Sequence, residues 1–217
     1  MMTMMDFFIR CYKRINRNSQ QQWLLREAVI LSLLLFLPLN ISHAGSIDIK
    51  FAEIAAVDQG YGISVDSEIT LNATLQRALE KGIILYFATK LTLVDSKWHW
   101  VGEEVARAKL RVALRYYTLT RQYQLNYPSS SQNFNSLKEA LKALGHLKGY
   151  PLTLKGELKT DTEYIASLRI WFDLTRMPKL FQVESLASDQ WELSSDKLEW
   201  RMKLPAVGES LIIKGQR

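Results

Sequence analysis

From Val105 to Tyr117 the sequence reads "VARAKLRVALRYY", and every second side chain is apolar. A helix brings side chains to one face about every 3.6 residues, so a strict period of two fits only an extended chain with a dry side and a wet side. Ala108, Leu110, Val112, Leu114 and Tyr116 are expected to point inward. Arg107, Lys109, Arg111 and Arg115 then line the opposite face at multiples of about 6.6 Å, twice the rise per strand residue. Past Tyr117 the parity changes, with Leu119, Tyr123 and Leu125 at formerly outward positions. A one-residue slip of this kind predicts a bulge inside one long strand over 105–125.

The same period recurs along the chain. Ile47, Ile49 and Phe51 alternate with Asp48 and Lys50, and Tyr61, Ile63 and Val65 with Gly62, Ser64 and Asp66; Asp58-Gln59-Gly60 between them reads as the turn of a hairpin. Further strands are expected at "IILYFATKLTLV" (83–94), "KWHW" (97–100), "LTLKGELK", "YIASLRIWFDL", "LFQVESL", "WELSS" and "KLEWRMKL". Two segments break the pattern. "ATLQRALEKG" follows a capping Asn72, groups Leu75, Ala78 and Leu79, and stops at Gly82. Ser136-Leu137-Lys138-Glu139 forms a capping box ahead of Leu137, Ala140, Leu141 and Leu144, with Gly145 as the stop. The shared [S/T]-L-x-x-A-L of these helices permits an old duplication, or only two similar amphipathic helices. Long strands with one wet face belong to antiparallel sheets. The expected fold is therefore mainly β: an antiparallel β-sandwich-like domain of eight or nine strands over 45–204, with two short helices. Residues 205–217 are left as a C-terminal tail or an edge strand.

The first 44 residues are composed differently. Arg10, Lys13, Arg14, Arg17 and Arg26 precede the apolar run "AVILSLLLFLPLNI" (28–41), which ends in Ser42-His43-Ala44-Gly45. Basic, apolar, then small is the order of a secretory signal peptide, and cleavage is expected between Ala44 and Gly45. A membrane span needs about 20 apolar residues, more than this run supplies; an uncleaved leader anchoring the chain to the inner membrane is the alternative. The expected location is the periplasm or the outside of the cell, with no stable span after cleavage. Met4 and Met5 are alternative starts. The leader also holds the single cysteine, Cys11, and much of the charge. Its five cations and two acids, subtracted from 28 and 22, leave 23 against 20, or +3 rather than +6. That balance lacks the basic excess of a nucleic-acid binder, and a chain from Gly45 has no thiol chemistry.

Chemistry-bearing motifs are scarce. There is no G-x-S-x-G, no phosphate-binding loop and no G-x-G-x-x-G. His99 and His146 fit no metal-ligand spacing, so neither a metal nor a cofactor is expected. Glu103, Glu104, Asp173, Glu184 and Asp189 supply carboxylates, but only proximity in space would make a hydrolytic pair of any two. Binding surfaces are better represented. The row Arg107, Lys109, Arg111 and Arg115 faces either acidic neighbours such as Glu53, Glu68, Glu199 or Asp173, or an anionic partner. Arg169, Trp171 and Asp173 share a second strand face, with an indole set between opposite charges. The tryptophans of the exported part serve equally well as core residues.

Six segments, "LQRALEKGIILYF", "KWHW", "LRYYTLTRQYQL", "SLKEALKALG", "MPKLFQVESL" and "WELSS…W", run in this order through residues 46–203. Together they resemble a proteobacterial family of exported proteins catalogued as domain of unknown function 4390. The family's long strand typically reads L-S-Y-x-x-L-T-R-Q-Y-R; Tyr116, Leu119, Thr120, Arg121, Gln122 and Tyr123 match it, while Arg115 and Gln124 depart. Leu180 stands where the family usually has a second proline. The resemblance implies an exported protein whose relatives often sit beside a nitrogen-type sensor kinase, and it implies no catalytic residues. It points to Tyr116, Arg121 and Tyr123 as a shared row, or as residues that fix the bulge. The resulting expectation is a non-enzymatic exported binding or accessory domain, with an envelope protein such as a sensor as its partner. The alternatives are a carrier holding an apolar or lipid-like ligand near Leu110, Leu114, Ile170 and Phe172, and a carboxylate-dependent hydrolase.

Overall fold

A computed structural model describes residues 45–57, 60–96, 103–156, 158–159, 161–186, 188–204 and 210–214. The leader, Ala44, the 58–59 turn and "KWHW" lie outside the described residues.

The chain is mainly β, as its period of two requires. The first hairpin pairs β1 (Ser46–Val57) with β2 (Gly60–Thr70). The expected Ile47-Ile49-Phe51 face is not continuous: the register shifts between Ile49 and Phe51, and Ala52 and Ile54 take over the buried side. Helix α1 (Ala73–Glu80) follows, with Asn72 Oδ1 accepting from the Leu75 amide at 2.9 Å and Leu75, Ala78 and Leu79 buried. Gly82 ends it at φ +86°, a conformation that favours glycine. Next come β3 (Leu85–Asp95) and β4 (Glu104–Tyr117).

Residues 105–125 are not one bulged strand. β4 stops at Tyr117, and β5 (Gln122–Asn126) folds back on it, pairing Tyr116 with Tyr123 and Leu114 with Leu125. The parity change is thus a reversal of direction, closed by Arg121 at φ +54°. β6 (Ser131–Phe134) extends this meander. Helix α2 (Leu137–Gly145) has Ser136 Oγ accepting from the Glu139 amide at 3.2 Å. Gly145 is required by space as well as by the helix end, because a Cβ there would lie 2.0 Å from the Ser67 carbonyl oxygen.

β7 (His146–Pro151), β8 (Thr153–Leu154) and β9 (Glu163–Phe172) follow. "LFQVESL", expected to be extended, is instead helix α3 (Lys179–Leu186), and "WELSS" forms a 3₁₀ turn, Asp189–Trp191, and a single bridge from Ser194 to Trp171. β10 (Leu198–Lys203) and β11 (Ser210–Lys214) complete the described strands.

Among the described residues eleven strands, one of them only two residues long, form two sheets. The smaller has the order β11-β1-β2-β7; the larger runs β10-β9-β3-β4-β5-β6, with β8 also beside β4. All named pairings are antiparallel. One core joins the sheets in a sandwich-like arrangement: Ile47, Ile54, Ile63 and Val65 of the smaller sheet share it with Phe87, Leu91, Leu114 and Leu168 of the larger. The count exceeds the expected eight or nine strands and two helices because β4–β5 is a hairpin, β6 and β8 are short, and α3 replaces a strand.

Candidate functional site

With one face of the larger sheet committed to the core, its outer face carries the remaining chemistry. Antiparallel partners directly opposite one another project to the same side. Lys90 of β3 stands opposite Lys109 of β4 and opposite Arg169 of β9. Three cations therefore cross three adjacent strands in one row, at spacings near 5 Å. Like charges in this position repel and are destabilising. Among the described residues, no carboxylate forms an ion pair with any of the three. Arg169 Nη2 donates to Ser194 Oγ at 3.2 Å.

The rows on either side are neutralised. One pair along, Arg111 stands opposite Ala88, which stands opposite Trp171. The small Ala88 leaves room for the guanidinium to reach past it to Asp173, Nε to Oδ2 at 3.1 Å. In the other direction, Arg107 lies 3.6 Å from Glu104 Oε1, which Lys155 Nζ also approaches at 3.0 Å. The Lys155 hydrogen bond holds the Glu104 carboxyl below the usual carboxylate range, against the opposing effect of burial, with Lys155, Arg107 and Lys90 charges adding to the lowering.

Beside the unpaired row lies a groove of about 890 Å³, lined by Lys90, Thr92, Arg169 and Trp171 on the sheet and by residues between Asp189 and Glu199 along its wall. Lys197 and Glu199, both at the wall, pair with each other. The groove sets Lys90 and Arg169, which form no ion pair among the described residues, beside the Trp171 indole and the hydroxyls of Thr92, Ser167 and Ser194, with the carboxylates of Asp173, Asp189, Glu192 and Glu199 also on its lining.

The residues expected from sequence separate accordingly. Lys109 and Arg169 belong to the row, and Trp171 to the groove. Arg107 and Arg111 are on the same face but have acidic partners. Asp173 lines the same groove as Arg169 and Trp171, but it lies just past β9, 4 % exposed, and accepts from Arg111 and from Thr175 Oγ1 at 2.6 Å. Of the proposed acidic neighbours, it alone touches the stripe among the described residues; Glu68 and Glu199 pair with Lys50 and Lys197. Arg115 lies in the hairpin, 5.6 Å from the Tyr117 ring centroid. Tyr116 and Tyr123 stack on each other, centroids 4.7 Å apart, and pack against the core, while Arg121 is exposed in the turn. Burial, with Tyr116 and Glu80 nearby, pushes the Tyr123 hydroxyl above its ordinary pKa. Tyr116 and Tyr123 thus face each other across a hairpin, with Arg121 in its turn, where a bulge was expected.

Lys90, at the centre of the row, was not singled out by sequence. Its signal was a lone cation in the strand "LYFATKLTLV", on the parity of Thr92. Leu110, Leu114, Ile170 and Phe172, the residues expected around an apolar ligand, are all buried in the core, with Phe172 also reaching the groove. Among the described residues there is no group of three or more histidines, cysteines or carboxylates suited to a metal, and no helix long and apolar enough to cross a membrane.

Comparison with known proteins gives no match to a curated protein and none to a solved structure. A family model described as "Domain of unknown function (DUF4390)" matches residues 44–201. That span takes in both sheets except β11 and the last residues of β10, and on it the chain belongs to the domain of unknown function 4390 family.

Proposed function

We propose that this chain is an exported, periplasmic, non-enzymatic binding domain whose larger sheet holds an acidic segment of another envelope protein. The observation that carries this reading is the Lys109–Lys90–Arg169 row, three opposed cations without an acidic partner beside an open groove. A row that repels itself is costly to keep unless something anionic is bound there for part of the protein's life. The extracytoplasmic part of a sensor is the partner that the family resemblance suggests. Export is supported by the basic, apolar and small-residue order of residues 10–45.

Co-purification from intact envelopes tests the binding surface. Reversing Lys109 and Arg169 to Glu should remove the co-purified protein, while Lys148→Glu on the smaller sheet should leave it. A partner retained equally by all three proteins would rule the row out. For export, mass spectrometry of the periplasmic fraction should find a chain beginning at Gly45; a chain found only in the membrane fraction with its leader would indicate an anchor.

A further inference from the structure

The two ends of the larger sheet differ in what they expose. β4 ends at Tyr117, three residues past Leu114, which pairs with Leu85 at the start of β3. β9 ends at Phe172, which pairs with Phe87. The β4–β5 hairpin and the segment leading into α3 therefore leave the sheet at the same end. Of the six large apolar side chains that are exposed among the described residues, four belong to these two elements: Tyr117 and Leu119 in the hairpin, Leu180 and Val183 on α3. Leu119 is 100 % exposed, Leu180 79 % and Val183 66 %. α3 turns Phe181 onto Trp191, with ring centroids 5.5 Å apart, so its outward residues are not needed for its own docking.

Cations accompany these side chains. Arg115 and Arg121 flank the hairpin tip, and Arg176 and Lys179 precede Leu180. None of the four forms an ion pair among the described residues. Among the acids whose side chains are described, Asp173 is already held by Arg111 and Glu80 accepts from Gln76; α3 also carries Glu184 in its sequence. Two protruding apolar tips edged by unpaired cations differ from a groove made to enclose a peptide. They fit a soft, anionic, laterally continuous surface into which short side chains dip while the cations stay at headgroup depth.

We infer that this end of the larger sheet docks the domain on an anionic lipid bilayer, with Leu119 and Leu180 entering the interface and Arg115, Arg121 and Lys179 meeting the headgroups. Its residues are distinct from those of the Lys109–Lys90–Arg169 row, which lies nearer the middle of the sheet.

The full chain itself can be tested if the readout is local, since its apolar leader would also bind vesicles. In a Cys11→Ser background, an environment-sensitive fluorophore is placed at Leu119→Cys, at Leu180→Cys, or at Leu154→Cys. Leu154 is exposed at the opposite end, where β8 pairs with Ala106. Vesicles of phosphatidylcholine containing phosphatidylglycerol should shift the emission at 119 and 180 to the blue and leave 154 unchanged. Pure phosphatidylcholine should give little shift. Neutralising Arg115 and Arg121 to Gln should weaken the vesicle-induced response at 119 about five-fold per charge. A shift at all three positions, or at none, would overturn the inference. So would a shift produced by solubilised envelope proteins and not by vesicles, which would assign this end to a protein partner.

Discussion

Arg111 and Lys109 are two residues apart on one strand and face the same way, yet their surroundings are opposite. Arg111 crosses over Ala88 to a carboxylate that is almost fully buried. Lys109 meets Lys90, and beyond it Arg169. The strand's own sequence is periodic and does not distinguish them. The residue on β3 does: a methyl group leaves a passage to Asp173, whereas a lysine fills it with the same charge. A basic stripe on a strand therefore says little until its cross-strand neighbours are known, and only the part that remains unpaired is a candidate for binding.

Breaking the paired half should have the largest effect. Arg111→Ala strands the Asp173 carboxylate with Thr175 as its remaining side-chain donor, and should lower stability by about 2–4 kcal/mol in a denaturant titration. Asp173→Ala should cost less, because the Arg111 side chain is 39 % exposed and can turn to water. Equal losses would mean that the two residues act only as a pair. Lys90→Gln should have the opposite sign, raising stability by about 0.2–0.5 kcal/mol at low salt, with the gain fading as salt is added. A loss of stability in that variant would show that the row has a structural role after all. The smallest effect concerns Glu104. Its depressed pKa means that its contribution is present above the ordinary carboxylate range and is lost as pH falls through the folded-state value. Glu104→Gln should therefore lower the melting temperature slightly near neutrality, and the difference from the unsubstituted protein should close as the pH falls through the carboxylate range.

Periodicity and caps carried most of the fold. β2 to β4, β9 and β10 follow the alternation of their residues, β1 does so on either side of its register shift, and both expected helices begin at the Asn72 and Ser136 caps. The failures have local causes. "TLTR" has none of the Gly, Asn or Asp residues that signal a tight turn, so a hairpin closed by Arg121 at positive φ reads as continuous strand. In "KLFQVESL", eight residues satisfy either period, and Pro178 just before the helix was the start signal that was not used. Gly145 was read as a helix stop, whereas its closeness to Ser67 depends on how α2 lies against β2. The candidate site was half legible for the same reason. Lys109, Arg169 and Trp171 stand out along their strands, but the place of Lys90 between two of them, and the withdrawal of Asp173, depend on register.

The smaller sheet carries a consequence for how the molecule is made. Its β1 strand is bordered on one side by β2, its neighbour in sequence, and on the other by β11, which is formed by Ser210–Lys214. One flank of β1 accordingly waits, with its amides and carbonyls unmatched by β11, until residues 210–214 have been made. A product truncated ahead of Ser210 would keep that flank bare, open to pairing with another such chain, and would be expected to self-associate where a chain carrying Ser210–Lys214 does not.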